Sequence, residues 1–277
     1  MPLFNTPLLY RFAANDSGAS GGAGSNDAGI SSSNDAGVSG PNDAGVSGDE
    51  GYVKFSFDHD RRDAAVPAEL FRDLEQWRSR LREVGGIGIT PEGIGFGNLS
   101  ARARADGPAR APADRTAEAP PNGEAGPRAA APAGRAEFFI TGSATGGKAM
   151  LEPRHYARVT DYDIKGNHLA CVGLTKASSE SMSHAAIYEA RPDVHAVCHI
   201  HHGPLWYKLC GTVPTTSEAI EYGTPEMALA LAELARGITY PSDRLIVMGG
   251  HQDGLIAFGE SIAAACRPFL QLLGSGE

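Results

Sequence analysis

The stretch Val194-His195-Ala196-Val197-Cys198-His199-Ile200-His201-His202 limits what this chain can fold into more than any other. Side chains alternate along a β-strand, so residues two apart share a face. Read as a strand, Val194, Ala196, Cys198 and Ile200 form one apolar face. His199 and His201 then project together from the other face, with Cα atoms ~7 Å apart. Two imidazoles at that spacing can converge on one metal ion. His195 lies two residues further back and is expected to be too distant. His202 is expected to point the opposite way unless the strand ends there. An isolated H-x-H pair serves equally well as two hydrogen-bonded histidines near a strand end, so further partners decide. A catalytic metal site usually takes three protein ligands and keeps one position open.

The candidate third ligand is His251, in Met248-Gly249-Gly250-His251-Gln252-Asp253-Gly254. Glycines let backbone approach a bound group closely. A plain hairpin turn would use the same residues. Asp253 is the weaker alternative ligand, since it would make a harder two-histidine, one-carboxylate site. Ala177-Ser178-Ser179-Glu180 opens a predicted helix. Helix starts carry unpaired N–H groups and a positive dipole end, which suit phosphate oxygens. Spacing alone favours ordinary capping by Ser178 or Ser179. Glu180 is a candidate fourth ligand or general base. Two glycine-bearing loops, Gly95–Ser100 and Thr141–Gly147, could add anion-binding N–H groups.

The chain has 277 residues, 42% of them hydrophobic, with a net charge of −9 and pI near 5.5. That balance argues against general nucleic-acid binding, which favours a basic face. No apolar run approaches the ~20 residues of a membrane span, and Met1–Ala14 makes a poor signal peptide. The four cysteines form no CxxC pattern; reduced thiols in a cytoplasmic protein are expected. Residues 1–50, with Asn-Asp-Ala-Gly repeated at Asn26, Asn34 and Asn42, read as a disordered low-complexity tail. A Pro-, Ala- and Arg-rich stretch at about 105–136 reads as a surface insertion between two strands. The remainder, 51–273, reads as one mixed α/β domain. Its expected helices are Pro67–Val84, Ser179–Ala190, Thr224–Arg236 and Ser261–Leu273. Its expected strands are Glu137–Thr141, His168–Gly173, Val194–His201, Arg244–Met248 and Gly254–Phe258.

In order along the chain these motifs resemble the class II aldolase/adducin family. A Gly-Asn-Leu-Ser stretch (Gly97 to Ser100), a Thr-Gly loop, a Ser-Ser-Glu helix start, the H-x-H strand, a Tyr222-Gly223-Thr224 turn and a late histidine-bearing glycine turn follow one another. Ala185 to Val197 resembles the family's run from helix into metal strand. The resemblance covers residues 67 to 273 apart from the insertion.

The resemblance implies a three-layer α/β/α fold with a central, mainly antiparallel mixed sheet, and a homotetramer. It implies one divalent metal, zinc first with iron(II) or manganese(II) as alternatives, on His199, His201 and His251 with Glu180 beside it. It implies Asn98, Thr145, Gly146, Ser178 and Ser179 around a substrate phosphate, and Glu180 as acid/base. Tyr222 is a candidate proton donor. The family's usual third ligand directly precedes glycine, whereas here Asp253 holds that position and His251 stands two residues earlier. The activity implied is a metal-dependent, aldolase-type lyase acting on a small phosphorylated sugar or related hydroxy-carbonyl compound. The same scaffold also supports epimerase, dehydratase, decarboxylase or iron-dependent oxygenase chemistry, or a non-enzymatic adducin-like module. Neither nucleic acid nor membrane is an expected partner.

Overall fold

The computed structural model describes residues 54–103, 135–239 and 244–274, all within the compact unit Val46–Glu277. The expected tail over 1–50 and nearly all of the insertion lie outside the described residues. The first elements are β1 (Ser56–Asp60), α1 (Ala68–Glu83), β2 (Gly88–Ile89), β3 (Gly95–Phe96), β4 (Asn98–Arg102) and β5 (Phe138–Thr141). Then come β6 (Tyr156–Asp163), β7 (His168–Val172), α2 (Ser181–Ala190), β8 (Ala196–His201) and α3 (Gly203–Leu209). The chain closes with α4 (Pro225–Gly237), β9 (Leu245–Val247), β10 (Gly254–Gly259) and α5 (Ile262–Gly274).

Eight strands form one sheet in the order β1-β7-β6-β5-β4-β8-β10-β9. Every neighbouring pair is antiparallel except β1–β7. Alternation along the strands builds two cores. Ile140, Val159, Val197, Ile256 and Phe258 meet Met182, Ala186 and Tyr188 of α2 and Met227, Leu231 and Ala235 of α4. Leu99, Ala101, Ala196, Cys198, Ile200 and Leu255 meet Leu74 and Leu81 of α1 and Ala265, Cys266 and Phe269 of α5. The fold is therefore the expected helix–sheet–helix sandwich.

Local chemistry explains the helix limits. In α1 the N–H of Gly86 bonds to Leu81 O and that of Gly85 to Arg82 O, with Gly85 at φ +77°. This double C-terminal closure needs a left-handed residue, which glycine adopts without strain. Thr224 caps α4 by accepting Met227 N–H at 3.3 Å, with Pro225 in the first turn. Two arginines gather the carbonyls that helix ends leave unpaired. Arg102 donates to Tyr188 O and Arg191 O at the end of α2, and Arg191 donates to Ala235 O and Ile238 O at the end of α4.

Several sequence expectations are corrected. Asn98–Ser100 lies in strand β4, not in a loop. Val194 precedes β8 and packs into the α2/α4 core, on the opposite side from Ala196, Cys198 and Ile200. Helix α2 starts at Ser181 with Glu180 at its N-cap. Strands β1 and β6 escaped notice for physical reasons. β1 is a charged edge strand, as exposed sheet edges tend to be. In β6 a bulge between Val159 and Asp161 breaks the two-residue alternation that marks a strand.

Leu99 is fully buried between the sheet and α1. Leu99→Ala should lower the unfolding free energy by ~2–5 kcal/mol through lost contact and the cavity left behind. Urea denaturation of the two proteins measures this as a lower midpoint for the variant at unchanged slope.

Candidate metal centre

The register of three adjacent strands creates the site. Asn98 of β4 and Ile256 of β10 flank His199 of β8, and Gly254 stands opposite His201. Residues 199 and 201 share a strand face, so both rings emerge on one side at the C-terminal end of β8. Strand β8 stops at His201, and His202 instead caps α3 by accepting Leu205 N–H on Nδ1 at 3.1 Å.

His251 reaches the pair from the turn between β9 and β10. One ligand atom from each of His199, His201 and His251 lies within 4.8 Å of the others. The Nε2 atoms of His199 and His201 are 3.0 Å apart, close to the ~3.3 Å that two ~2.0 Å zinc–nitrogen bonds produce in a tetrahedral shell. Two ring nitrogens at that separation require a shared proton or cation. His199 Nδ1 donates to Leu255 O at 3.1 Å, because a carbonyl can only accept. That bond fixes the tautomer and presents the Nε2 lone pair to the cluster. Burial, with the neighbouring imidazoles adding repulsion, pushes the His199 pKa well below its usual value. Burial likewise lowers His251, with His201 and Lys54 adding to it. Both rings are thus neutral near pH 7, the form that binds metal.

The glycine pair before His251 has a steric reason. A Cβ on Gly250 would sit 1.8 Å from Ile220 O, and one on Gly249 2.2 Å from Thr216 O. The 216–220 backbone therefore lies directly on the turn and continues into Tyr222, whose ring stacks on His251 at 4.4 Å and 24°. Asp253 does not line the cleft. It adopts φ +64°, and its carbonyl accepts His202 N–H. Of the two ligand candidates in this turn, His251 is the one beside the histidine pair.

Glu180 stands at the N-cap of α2, where the helix dipole favours a carboxylate. It is 3% exposed; Oε2 accepts from Ser183 Oγ at 2.8 Å and Oε1 lies 3.7 Å from His251 Nδ1. Ser100 Oγ bonds both His184 Nδ1 at 2.7 Å and the Tyr188 hydroxyl at 2.8 Å, locking β4 against α2 and hence Glu180 against Asn98.

A single cleft is lined by His199, His201, His251, Glu180, Tyr222, Asn98, Thr145, Gly146, Ser178 and Ser179, so these ten candidates are brought together while Asp253, the alternative ligand, is not. Details differ among them. Ser178 Oγ accepts Glu180 N–H at 3.4 Å, the ordinary capping role. Thr145 Oγ1 donates to Gly142 O at 2.7 Å, which commits its proton within the loop. Asn98 is 6% exposed, and its Oδ1 has no hydrogen-bond partner among the described residues. His195 lies outside the cleft. Sequence reasoning missed Phe96, whose ring lies 5.5 Å from His201, and Ser183, which holds Glu180. Ser183 was findable, since residues three apart on a helix are neighbours. Phe96 was not, because its approach depends on the β2–β3 ribbon.

Comparison with known proteins follows this geometry. A family model described as Class II Aldolase and Adducin N-terminal domain matches residues 92–272. An L-fuculose 1-phosphate aldolase structure superposes with a TM-score of 0.50 at 19% identity, covering 75% of this chain and 82% of that one. YgbL from Escherichia coli, titled a putative aldolase/epimerase/decarboxylase, gives 0.49 at 18% identity, covering 75% and 86%. A sugar-phosphate aldolase from Thermotoga maritima gives 0.49 at 19% identity, covering 74% and 90%. At 19% identity the likeness to the L-fuculose 1-phosphate aldolase structure is one of fold. No curated protein matches the chain.

The buried histidines make the metal-free protein acid-sensitive. His184 is fully buried, and desolvation drops its pKa from 6.5 to about 3. The unfolded chain therefore takes up a proton first as pH falls below 6.5, and stability declines from there toward pH 3. The slope is about 1.4 kcal/mol per pH unit for each such histidine. Urea midpoints between pH 7 and 5 should fall in the wild type and fall less steeply in His184→Gln.

Proposed function

This chain belongs to the class II aldolase and adducin family, and on that footing we propose that it is a metal-dependent, aldolase-type lyase. Its substrate in this reading is a small phosphorylated sugar or a related hydroxy-carbonyl compound. The observation that carries the reading is the meeting of three imidazoles and one buried carboxylate in a cleft whose lining also includes glycine- and serine-rich backbone.

The residues fit a divalent metal. His199, His201 and His251 would hold it, with Glu180 next to them. The neutral nitrogen set suits zinc, and equally iron(II); we take zinc. When bound, the metal supplies Lewis-acid polarisation of the substrate's adjacent carbonyl and hydroxyl oxygens.

The chain's own groups do the rest. Glu180, held by Ser183 on Oε2, keeps Oε1 toward the histidines and moves the proton at the substrate's reacting oxygen or carbon. Tyr222, oriented by its stack on His251, is the candidate group at the oxygen that becomes the aldehyde, taking the hydroxyl proton in cleavage and donating it back in the reverse condensation. Asn98, Ser178, Ser179, Thr145 and the Gly146 amide surround the phosphate at the start of α2, where N–H groups and helix dipole favour an anion. Fixing both substrate ends converts the cleavage into an oriented, effectively unimolecular step. The reading extends to a homotetramer in the cytoplasm, and the four cysteines are free thiols.

His199→Ala should lose both zinc, by elemental analysis, and cleavage of a panel of ketose phosphates. Glu180→Gln should keep zinc and lose ~10²–10⁴-fold in turnover. Full turnover by a metal-free His199→Ala protein would end the proposal. Native iron with oxygen-dependent turnover would replace it by the oxygenase reading.

A further inference from the structure

Arg78 is an arginine in the wrong place for solubility. It lies four residues after Leu74 and three before Leu81, on the buried face of α1, and is 1% exposed. Its Nη2 donates to Thr145 O at 3.0 Å, Gly146 O at 3.3 Å and Lys148 O at 2.6 Å. Its Nη1 lies 3.5 Å from Glu75 Oε1. Glu75 in turn accepts Leu151 N–H at 2.9 Å on Oε1 and the Tyr156 hydroxyl at 3.3 Å on Oε2. One helix residue pair thus fastens both ends of segment 145–151.

The backbone consequence follows from peptide planarity. In a trans peptide the C=O and the next N–H point in opposite directions. Drawing Thr145 O and Gly146 O toward Arg78 turns the N–H groups of Gly146 and Gly147 away from α1. Neither N–H donates a hydrogen bond among the described residues. Gly146 N lies 3.1 Å from the point where a Cβ on Gly95 would begin, and both glycines line the cleft. A side chain at Gly146 would strike Gly88 O at 2.3 Å, so bare backbone is what this wall can present.

Stability alone does not account for the arginine. Replacing a buried ion pair by apolar residues is often neutral or stabilising. An apolar side chain has no N–H to give these carbonyls, and lysine has a single nitrogen to serve both the carbonyls that Nη2 holds and the Glu75 carboxylate that Nη1 faces. We propose that Arg78 is a positioning residue that holds loop 145–148 with its free amides turned toward an anionic end of the substrate. This rests on the reading above, in which that loop takes phosphate.

The test uses the full-length, zinc-loaded chain as wild type, Arg78→Met and Arg78→Lys, with inorganic phosphate as the probe in calorimetry and zinc counted by elemental analysis. Zinc content should be unchanged in both variants. Phosphate affinity should fall about tenfold or more in Arg78→Met, and by less in Arg78→Lys. Should Arg78→Met fail to fold, Arg78→Lys decides, because it keeps the stem and the charge. Phosphate bound equally well by folded variants, or zinc and phosphate lost together in Arg78→Lys, would overturn the assignment. A wild type that takes zinc but no phosphate would refute the phosphate reading of the loop itself and remove the basis for a role of Arg78 in it.

Discussion

Three imidazoles packed around one point in a protein interior repel one another as soon as any two are charged. Burial resolves this for His199 and His251 by favouring their neutral forms. The Nε2 atoms of His199 and His201, 3.0 Å apart, need something positive between them. A metal entering such a cluster has few protons to displace near neutrality. The surrounding structure serves to keep these rings together and oriented.

Orientation comes from the sheet and from the layers on it. The β4–β8–β10 register sets Asn98, His199 and the Leu255 carbonyl within one short span. Helix α2, tied to β4 through Ser100, His184 and Tyr188 and closed at its far end by Arg102, brings Glu180 to the same edge. The helix therefore contributes its carboxylate and the positive end of its dipole at one location. Moving α2 by a single turn would shift both together by ~5 Å.

The cleft is lined by two kinds of structure. The histidines are side chains on strand β8 and a clamped turn. The 142–146 segment offers backbone, where glycine permits close approach and Arg78 of α1 holds the loop. No lysine or arginine lines the cleft among the described residues. In the proposed reading, recognition of an anion there depends on aimed amides and a helix terminus, and so on the accuracy of the loop's path. Lys54 approaches only from outside, over the face of Tyr222 at 3.8 Å.

Some features were legible in the chain because they are local. Alternation identified the histidine strand, helical spacing identified α1, and Thr224-Pro225 marked the start of α4. Motif order pointed to the family, and the helix–sheet–helix layering followed from it. Others were not local, and the chain alone left them open. The bulge in β6 hid a strand, and the entry of Val194 into the opposite core depends on where β8 begins. Whether His251 or Asp253 stands beside the histidine pair is decided by the path of the turn. That path is set by Gly249 and Gly250 pressing on the 216–220 backbone, a contact between segments some thirty residues apart. The sequence by itself determined which chemical groups are present and in what order they come. Only the tertiary structure decided which of them meet, because close approach between distant segments is governed by steric fit that neither segment encodes alone.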